Sequence, residues 1–274
     1  NEEYDVYLIK TDGFGIEQWT QTYGEETWNF GNSVQLTLDG GFIICGFTGN
    51  IEPYEYYVYL IKTDWNGIEQ WSQTYGTEFA HLGYSVQQTS DGGYILTGSS
   101  LSLSTNFDVY LIKTDDNGVE QWSQTYGGTN VDEGYSVQQT TDGGYIIAGY
   151  TGSFGNGLYD FYLVKTDGFG IEQWSQTYGA TGIDQGYSVQ QTTDGGYIIA
   201  GETRNKEGGE WNVYVIKTDS EGTLSSSFTI PTQSSNRNLD KIIDGLGREV
   251  NHTPNQILFY LYDDGSVEKK LIVE

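Results

Sequence analysis

The sequence repeats itself every 51 or 52 residues over most of its length, and this periodicity constrains the fold more than any other feature. Three independent landmarks keep the same spacing. Lys-Thr-Asp begins at Lys10, Lys62, Lys113, Lys165 and Lys217, Asp-Gly-Gly begins at Asp39, Asp91, Asp142 and Asp194, and a tryptophan recurs at Trp19, Trp71, Trp122 and Trp174. A fixed period of this size is typical of solenoids and propellers, whose units pack on their neighbours.

Each repeat contains the pattern of four strands, here called A to D. In the third complete copy, strand A is predicted over residues 134–140, B over 145–150, C over 160–165 and D over 171–178. Asp142-Gly143-Gly144 and the Asp-x-x-Gly segment at 167–170 are tight-turn sequences, so consecutive strands are antiparallel. Strand C is apolar on both faces and strand D alternates, which predicts C between neighbouring sheets and D near the rim.

A four-stranded sheet that is apolar on both faces must pack against further copies of itself. The sequence therefore predicts an all-β protein: a β-propeller of about five blades over residues 1–231, with the first blade incomplete. A β-solenoid is disfavoured because it needs parallel pairing. Strands A and B of the first blade are absent, and three explanations stay open: further repeats upstream, which we favour, imperfect closure by the C-terminal tail, or completion by another subunit.

Composition limits the classes of partner and of chemistry. The 12 Lys and Arg against 38 Asp and Glu give a net charge of −26, which disfavours nucleic acid and anionic lipid as partners. No apolar stretch is long enough to span a membrane. The single Cys45 is expected to be small and buried, and the isolated His81 and His252 to lie on the surface or in loops. With no phosphate loop, nucleophile motif or metal-binding spacing, we expect no enzymatic activity, no catalytic residue and no metal site.

After residue 231 the repeat stops. Residues 232–238 form a polar linker, and 239–274 form a separate unit with two or three strands. This unit carries Leu246-Gly247-Arg248-Glu249, then the hairpin sequence Asp264-Gly265, then Lys269-Lys270 in its last strand. It resembles the type A sorting domains of the type IX secretion system. The resemblance implies export by that machinery and a location outside the cell or on the outer surface of a Bacteroidetes-type bacterium.

The loops divide between the two ends of the blades. The A–B and C–D turns are short and similar in every copy, so we expect that end to be structural, with the repeated Lys neutralised by a repeated acid such as Glu17, Glu69, Glu120 or Glu172. The B–C and D–A loops vary at the other end, where recognition surfaces are usually built. We expect glycan or surface-protein binding there, and loop carboxylates that would suit Ca²⁺ as the one candidate cofactor. The candidate ligand-binding residues are Trp28, Tyr54, Tyr56, Phe79, Tyr159 and Trp211.

Two hypotheses follow for function. The first is a secreted, non-enzymatic recognition module that uses this loop face. The alternative is a structural or self-assembling surface protein that completes its open half blade with another subunit.

Overall fold

The computed structural model describes residues 4–24, 27–50, 55–77, 79–101, 106–205, 209–230, 238–243, 249–250, 257–262 and 267–271. These residues form six antiparallel sheets. Blade 1 has β1 (Val6–Thr11) and β2 (Glu17–Tyr23). Blade 2 has β3 (Trp28–Leu36), β4 (Phe42–Asn50), β5 (Glu55–Thr63) and β6 (Glu69–Tyr75). Blade 3 has β7 (His81–Gln88), β8 (Tyr94–Leu101), β9 (Phe107–Thr114) and β10 (Glu120–Tyr126).

Blade 4 has β11 (Asp132–Gln139), β12 (Tyr145–Thr151), β13 (Asp160–Thr166) and β14 (Glu172–Tyr178). Blade 5 has β15 (Ile183–Gln191), β16 (Tyr197–Arg204), β17 (Asn212–Thr218) and β18 (Leu224–Ile230). Within blades 2 to 5 the strands pair in the order A-B-C-D. The all-β architecture of four-stranded antiparallel sheets with an incomplete first blade is confirmed.

Local chemistry fixes both turns of each blade. In the C–D turn of blade 4, one carboxylate oxygen of Asp167 accepts hydrogen bonds from the backbone N–H groups of Phe169 and Ile171, both at 2.8 to 2.9 Å. Gly170 closes that turn with a φ of 76°, in the left-handed region where a side chain is strained. Gly143 plays the same part in the A–B turn with a φ of 84°.

Strand C lies in the middle of the stack, as predicted. Every residue of β13 is buried, whereas every residue of β14 is exposed or half-buried. The repeated tryptophans occupy equivalent positions between blades: Trp122 lies 5.9 Å from Tyr145, ring centre to ring centre, and Trp174 lies 5.9 Å from Tyr197. Cys45 is fully buried, and burial raises the pKa of its thiol, so the prediction of a small buried side chain is confirmed.

The free edge of strand A is satisfied by the neighbouring blade. The N–H of Gln139 donates to the side-chain carbonyl of Gln87 at 2.6 Å, and the N–H of Gln191 donates to that of Gln138 at 2.6 Å. Ser136 accepts in the same way from the N–H of Val189 at 3.2 Å. In blades 3 to 5 the polar Ser-Val-Gln-Gln segment therefore ties strand A of one blade to strand A of the next, which leaves fewer edge groups unpaired.

The two ends of the array expose faces that are buried elsewhere. On blade 1, Ile9 is 50% exposed, whereas its equivalent Ile112 in blade 3 is 1% exposed. On blade 5, Val213 is 44% exposed, whereas its equivalent Val109 is 1% exposed. Packing between consecutive blades is therefore what buries these apolar positions.

The C-terminal unit contributes a three-stranded sheet of β19 (Leu239–Ile243), β20 (Ile257–Tyr262) and β21 (Val267–Leu271). Of the sorting-motif residues, Glu249 forms a bridge with Ile243, and Lys269 and Lys270 lie in β21. The others, Leu246, Gly247, Arg248, Asp264 and Gly265, lie outside the described residues, as does His252. In the described part of the chain, no helix has the length and apolar character to cross a membrane.

Candidate functional sites at the two ends of the blades

At the end of the blades that carries the A–B and C–D turns, called the turn end, a buried lysine meets the first residue of Asp-Gly-Gly. Lys62, Lys113, Lys165 and Lys217 each pair with the Asp of their own blade, with N–O distances of 2.8 to 2.9 Å. The expectation that the repeated glutamates neutralise these lysines is wrong. The reason is geometric: Glu172 pairs with Thr166 beyond a register shift, whereas Lys165 lies opposite Trp174 and reaches the A–B turn.

The ammonium group of Lys165 uses all of its donors within the protein. Nζ donates to Asp142 at 2.9 Å, to the backbone carbonyl of Thr166 at 2.8 Å and to the side-chain carbonyl of Gln173 at 3.0 Å. Burial opposes ionisation of Asp142, but hydrogen bonds from Thr140, Lys165 and Gly144 outweigh it and lower its pKa to about 2. The result is a fixed, neutral ion pair, with the carboxylate open to solvent and the ammonium buried.

Two cavities of the same construction open beside these ion pairs, each shared by two consecutive blades. The first has a volume of about 540 Å³ and lies between blades 4 and 5, lined by Thr141, Asp142, Lys165, Gln173, Trp174, Gln191, Gly195, Tyr197, Ser220 and Glu221. The second has a volume of about 600 Å³ and lies between blades 3 and 4, lined by Ser90, Asp91, Lys113, Gln121, Trp122, Gln139, Gly143, Tyr145, Gly168 and Phe169. We call them the 4/5 pocket and the 3/4 pocket.

The two pockets have the same floor and different rims. Asp, Lys, two Gln, Trp and Tyr recur at equivalent positions, and the rim comes from the two central residues of the next blade's C–D turn. These are Gly168 and Phe169 in one pocket, and Ser220 and Glu221 in the other. The sequence did not predict this site, because the short turns are nearly the same in every copy and were expected to be structural. The signal was present in the two variable residues of each Asp-x-x-Gly segment.

The chemistry of the floor suits a neutral, polyhydroxylated ligand. A half-buried indole and a buried phenol ring supply apolar surface, while amide and carboxylate groups supply hydrogen-bond donors and acceptors. The ion pair adds no net charge. Pockets that combine apolar walls with a few placed polar groups are the usual form of small-molecule sites.

The opposite end of the blades, called the loop end, carries the aromatic residues that the sequence singled out. Trp28 and Tyr56 lie in one aromatic cluster through Phe30 and Phe47, where the Phe30 and Phe47 ring centres are 4.7 Å apart and those of Phe47 and Tyr56 are 5.6 Å apart. Tyr56 is buried and Trp28 half-buried.

The remaining candidates lie on other blades. Phe79 is half-buried with a φ of 87°, Tyr159 packs edge-on against Tyr150 at 4.8 Å, and Trp211 lies 5.4 Å beneath the guanidinium of Arg204. Tyr54 lies outside the described residues. The structure thus joins Trp28 to Tyr56 and places the others on separate blades.

Pairs of carboxylates lie at the loop end between strand C of one blade and strand A of the next. A Cβ atom added to Gly127 would lie 2.1 Å from Oδ1 of Asp108 and 2.6 Å from Oδ2 of Asp132, so both carboxylates crowd the same glycine. Asp160 and Asp184 crowd Gly179 in the same manner, at 2.4 and 2.5 Å.

The two members of the first pair differ in their partners. Oδ2 of fully buried Asp132 accepts hydrogen bonds from the N–H of Gly128 at 2.8 Å and the hydroxyl of Ser153 at 2.6 Å. Oδ1 of Asp108 is buried and accepts no hydrogen bond from the described residues. Burial, and then the charge of Asp132, raise the pKa of Asp108 to about 6. Asp108 therefore keeps its proton to a higher pH than an ordinary aspartate does.

His81 occupies the strand position of Asp132 in blade 3. It is buried in β7, and its Nε2 accepts a hydrogen bond from the N–H of Thr77 at 3.1 Å. The expectation of a surface or loop histidine is wrong for His81, because strand A begins before the glycine at which the pattern placed it.

Comparison with known proteins supports the propeller fold. An α-L-arabinanase from Penicillium chrysogenum, solved with arabinobiose, superposes with a TM-score of 0.54 over 87% of this chain and 80% of its own, at 13% identity. An endo-arabinase from Bacteroides thetaiotaomicron matches with a TM-score of 0.44 over 88% of this chain and 93% of its own, at 10% identity. No family model and no curated protein matches the sequence.

These comparisons correct the functional hypotheses drawn from the sequence. The expectations of a non-enzymatic module and of no enzymatic activity are corrected by the α-L-arabinanase above, an enzyme that has the same fold as this chain; at 13% identity this likeness shows the fold alone. One fold hosts both enzymes and binding modules, so the missing sequence motifs were not sufficient ground to exclude a catalytic site.

Proposed function

We propose that this protein binds carbohydrate in the pockets between consecutive blades at the turn end. The observation that carries the proposal is that one set of groups, an indole, a phenol, two amides and a neutral ion pair, lines two equivalent cavities. Sugars present hydroxyl groups beside apolar C–H faces, and both kinds of surface have partners here. A volume of about 540 to 600 Å³ is ample for a mono- or disaccharide.

The site is also rigid before any ligand arrives. The tryptophan is held against the next blade, since a Cβ atom on Gly222 would lie 2.8 Å from the Trp174 ring. The hydroxyl of Tyr178 donates to the carbonyl of the same Gly222 across the blade boundary. Groups that are fixed in advance lose little conformational entropy on binding, which supports affinity from a small contact area.

A glycan array followed by calorimetric titration tests the proposal. Gln121→Leu combined with Gln173→Leu removes one amide from each pocket and is expected to weaken saccharide binding by roughly fivefold per site, since one hydrogen bond contributes about 1 kcal/mol. Gln176→Leu is the matched control, because Gln176 lies on the same strand as Gln173 and lines neither pocket. The absence of saccharide binding in the array, or an equal loss in the control, would contradict the proposal.

Glycoside hydrolysis is a second candidate, favoured by the Asp108–Asp132 pair at the loop end. A carboxyl group whose pKa is raised to about 6 is suited to donate a proton to a leaving sugar oxygen at neutral pH. The fold that this chain shares with an arabinanase also supports a glycan as the substrate.

Assays on arabinan and other oligosaccharides test hydrolysis directly. Asp108→Asn is expected to abolish turnover, because the amide cannot deliver the proton, and the wild-type rate should fall as the pH rises through about 6. Asp5→Asn is the matched control, since Asp5 is the equivalent residue of blade 1 and has Asn29 as its neighbour, 3.5 Å away. Turnover that survives Asp108→Asn would remove this candidate.

We also propose export through the type IX machinery to the cell surface, on the strength of the C-terminal motifs. Fusion of residues 239–274 to a reporter protein tests it: the reporter should reach the surface of a bacterium that has the machinery, and substitution of Arg248 and Glu249 by alanine should retain it inside. Ca²⁺ at the loop carboxylates and ligand stacking on Trp28, Tyr56 and the other loop aromatics stay proposals, which a calcium titration and alanine variants test.

A further inference from the structure

The rims of the inter-blade pockets differ in charge, although their floors are the same. The 3/4 pocket has Phe169, which is 75% exposed, at the position where the 4/5 pocket has the carboxylate of Glu221. The equivalent rim residues from blade 3 are Asp116 and Asn117. The third residue of the turn is therefore a neutral amide in blade 3 (Asn117), aromatic in blade 4 (Phe169) and acidic in blade 5 (Glu221).

The charge of Glu221 acts on the pocket wall. Burial raises the pKa of Tyr197 to about 12, with further contributions from the charges of Asp142 and Glu221. In the 3/4 pocket, burial likewise raises the pKa of Tyr145 to about 12, but the one contributing carboxylate is Asp91 of the floor. The wall of the 4/5 pocket is thus affected by the charge of a rim carboxylate, whereas the wall of the 3/4 pocket is not.

Nothing in the described part of the chain neutralises that carboxylate. The donors of Lys165 are already taken up by Asp142, Thr166 and Gln173, and no salt bridge to Glu221 is present among the described residues. The protein as a whole carries a net charge of −26, which further favours cations near this site.

We propose that Glu221 makes the 4/5 pocket selective for a saccharide with a protonated amino group, whereas the 3/4 pocket takes a neutral saccharide whose apolar face lies on Phe169. This inference rests on the proposed carbohydrate binding and names the ligand class of each pocket. An ammonium group on the sugar supplies the partner that the Glu221 carboxylate lacks, while the shared floor contacts the hydroxyls. An exposed ion pair of this kind changes affinity by about two- to fivefold and weakens with salt.

Titration of isotopically labelled protein with glucosamine and N-acetylglucosamine, below the pKa of the amine, tests the proposal. The two sugars differ at one position, where a protonated amine in glucosamine replaces the larger, uncharged acetamide of N-acetylglucosamine, and the indole N–H signals of Trp174 and Trp122 report the two pockets separately. We expect glucosamine to bind the 4/5 pocket two- to fivefold more tightly than N-acetylglucosamine at low salt, with the difference lost at high salt, and no such preference in the 3/4 pocket.

Variants of the rim identify the cause. Glu221→Gln should weaken glucosamine binding more than N-acetylglucosamine binding, so that the preference disappears, and Phe169→Glu should create the preference in the 3/4 pocket. Equal affinities for the two sugars in both pockets, or a Glu221→Gln variant that weakens both sugars alike, would overturn the inference. If no saccharide on the array binds, and neither sugar shifts either indole signal, the proposed function itself is wrong. A simple amine such as methylammonium should not shift the Trp174 signal, because it lacks the hydroxyls that the floor recognises.

Discussion

The turn end and the loop end of each blade differ in how uniform they are from one copy to the next. At the turn end, the Lys–Asp pair recurs in blades 2 to 5 with nearly the same distance. At the loop end, the residues between blades change from Asp5 with Asn29 to Asp108 with Asp132. Tight hairpins leave the turn end little freedom, while loops of different length rearrange the loop end.

A region that is nearly the same in every blade can therefore contain a candidate binding site as well as structural residues. The uniform end has both the pockets and the ion pairs that support them, and its specificity is expected in two variable rim residues per turn. The variable end has aromatic side chains that mostly pack on one another, together with carboxylates that crowd glycines.

Removal of one partner of a buried ion pair at the turn end should have the largest effect on stability. Asp142→Ala leaves the ammonium of Lys165, whose side chain is 4% exposed, without its carboxylate. We expect the free energy of unfolding to fall by about 2 to 3 kcal/mol, less than for a fully buried pair, because solvent screens the half-exposed Asp142. Urea unfolding measures the change.

The last blade supplies the control for this prediction. Lys217 is 25% exposed, so water can solvate it once Asp194 is replaced by alanine. Asp194→Ala should therefore destabilise the protein less than Asp142→Ala. Equal losses of stability in the two variants would show that burial of the lysine does not determine the size of the loss.

Addition of a methyl group at the loop end should have the next largest effect on stability. Gly127→Ala forces the carboxylates of Asp108 and Asp132 away from the new Cβ, and overpacking of this kind costs about 1 to 2 kcal/mol. Gly13→Ala adds the same methyl group where no atom lies within 4 Å and should be close to neutral. Thermal unfolding of both variants compares them, and an unchanged melting temperature for Gly127→Ala would indicate that the pair moves freely.

The two ends should respond to pH in opposite directions. Asp39 and Asp142 have pKa values near 2, held down by hydrogen bonds that include one from lysine, so their contribution to stability is lost as the pH falls from about 4 to about 2. The pKa of Asp108 is raised to about 6, so its protonation favours the folded state and stability rises as the pH falls from above 6 towards 4.

Asp108→Asn isolates the loop-end part of this profile. The amide resembles the protonated acid and occurs naturally as Asn212 in the equivalent position, so the variant should be more stable than wild type at neutral pH and equal to it near pH 4. A stability profile with the same slope between pH 4 and 7 in both proteins would show that Asp108 does not titrate in this range.

The smallest effect on stability is expected at the pocket rim. Phe169→Ser changes a side chain that is 75% exposed, so the free energy of unfolding should stay within about 0.5 kcal/mol of wild type. Saccharide affinity of the 3/4 pocket should fall in the same variant, while the 4/5 pocket stays unchanged. A large loss of stability would mean that the rim belongs to the scaffold.

The sequence by itself determined the repeat, the four strands of each copy, the turn positions and the burial of strand C, because these depend on residues close together in the chain. Strand bounds in blade 4 lie within two residues of the predicted ones.

Only the tertiary structure decided what the polar residues contact. Lys165 and Asp142 are 23 residues apart, and the 3/4 pocket joins Trp122 to Phe169 from the next copy. The carboxylate pair joins strand C of one blade to strand A of another. A periodic pattern gives every copy the same residues, so it does not reveal which atoms of two copies meet; that depends on how the blades pack, and the sites lie in the gaps between blades.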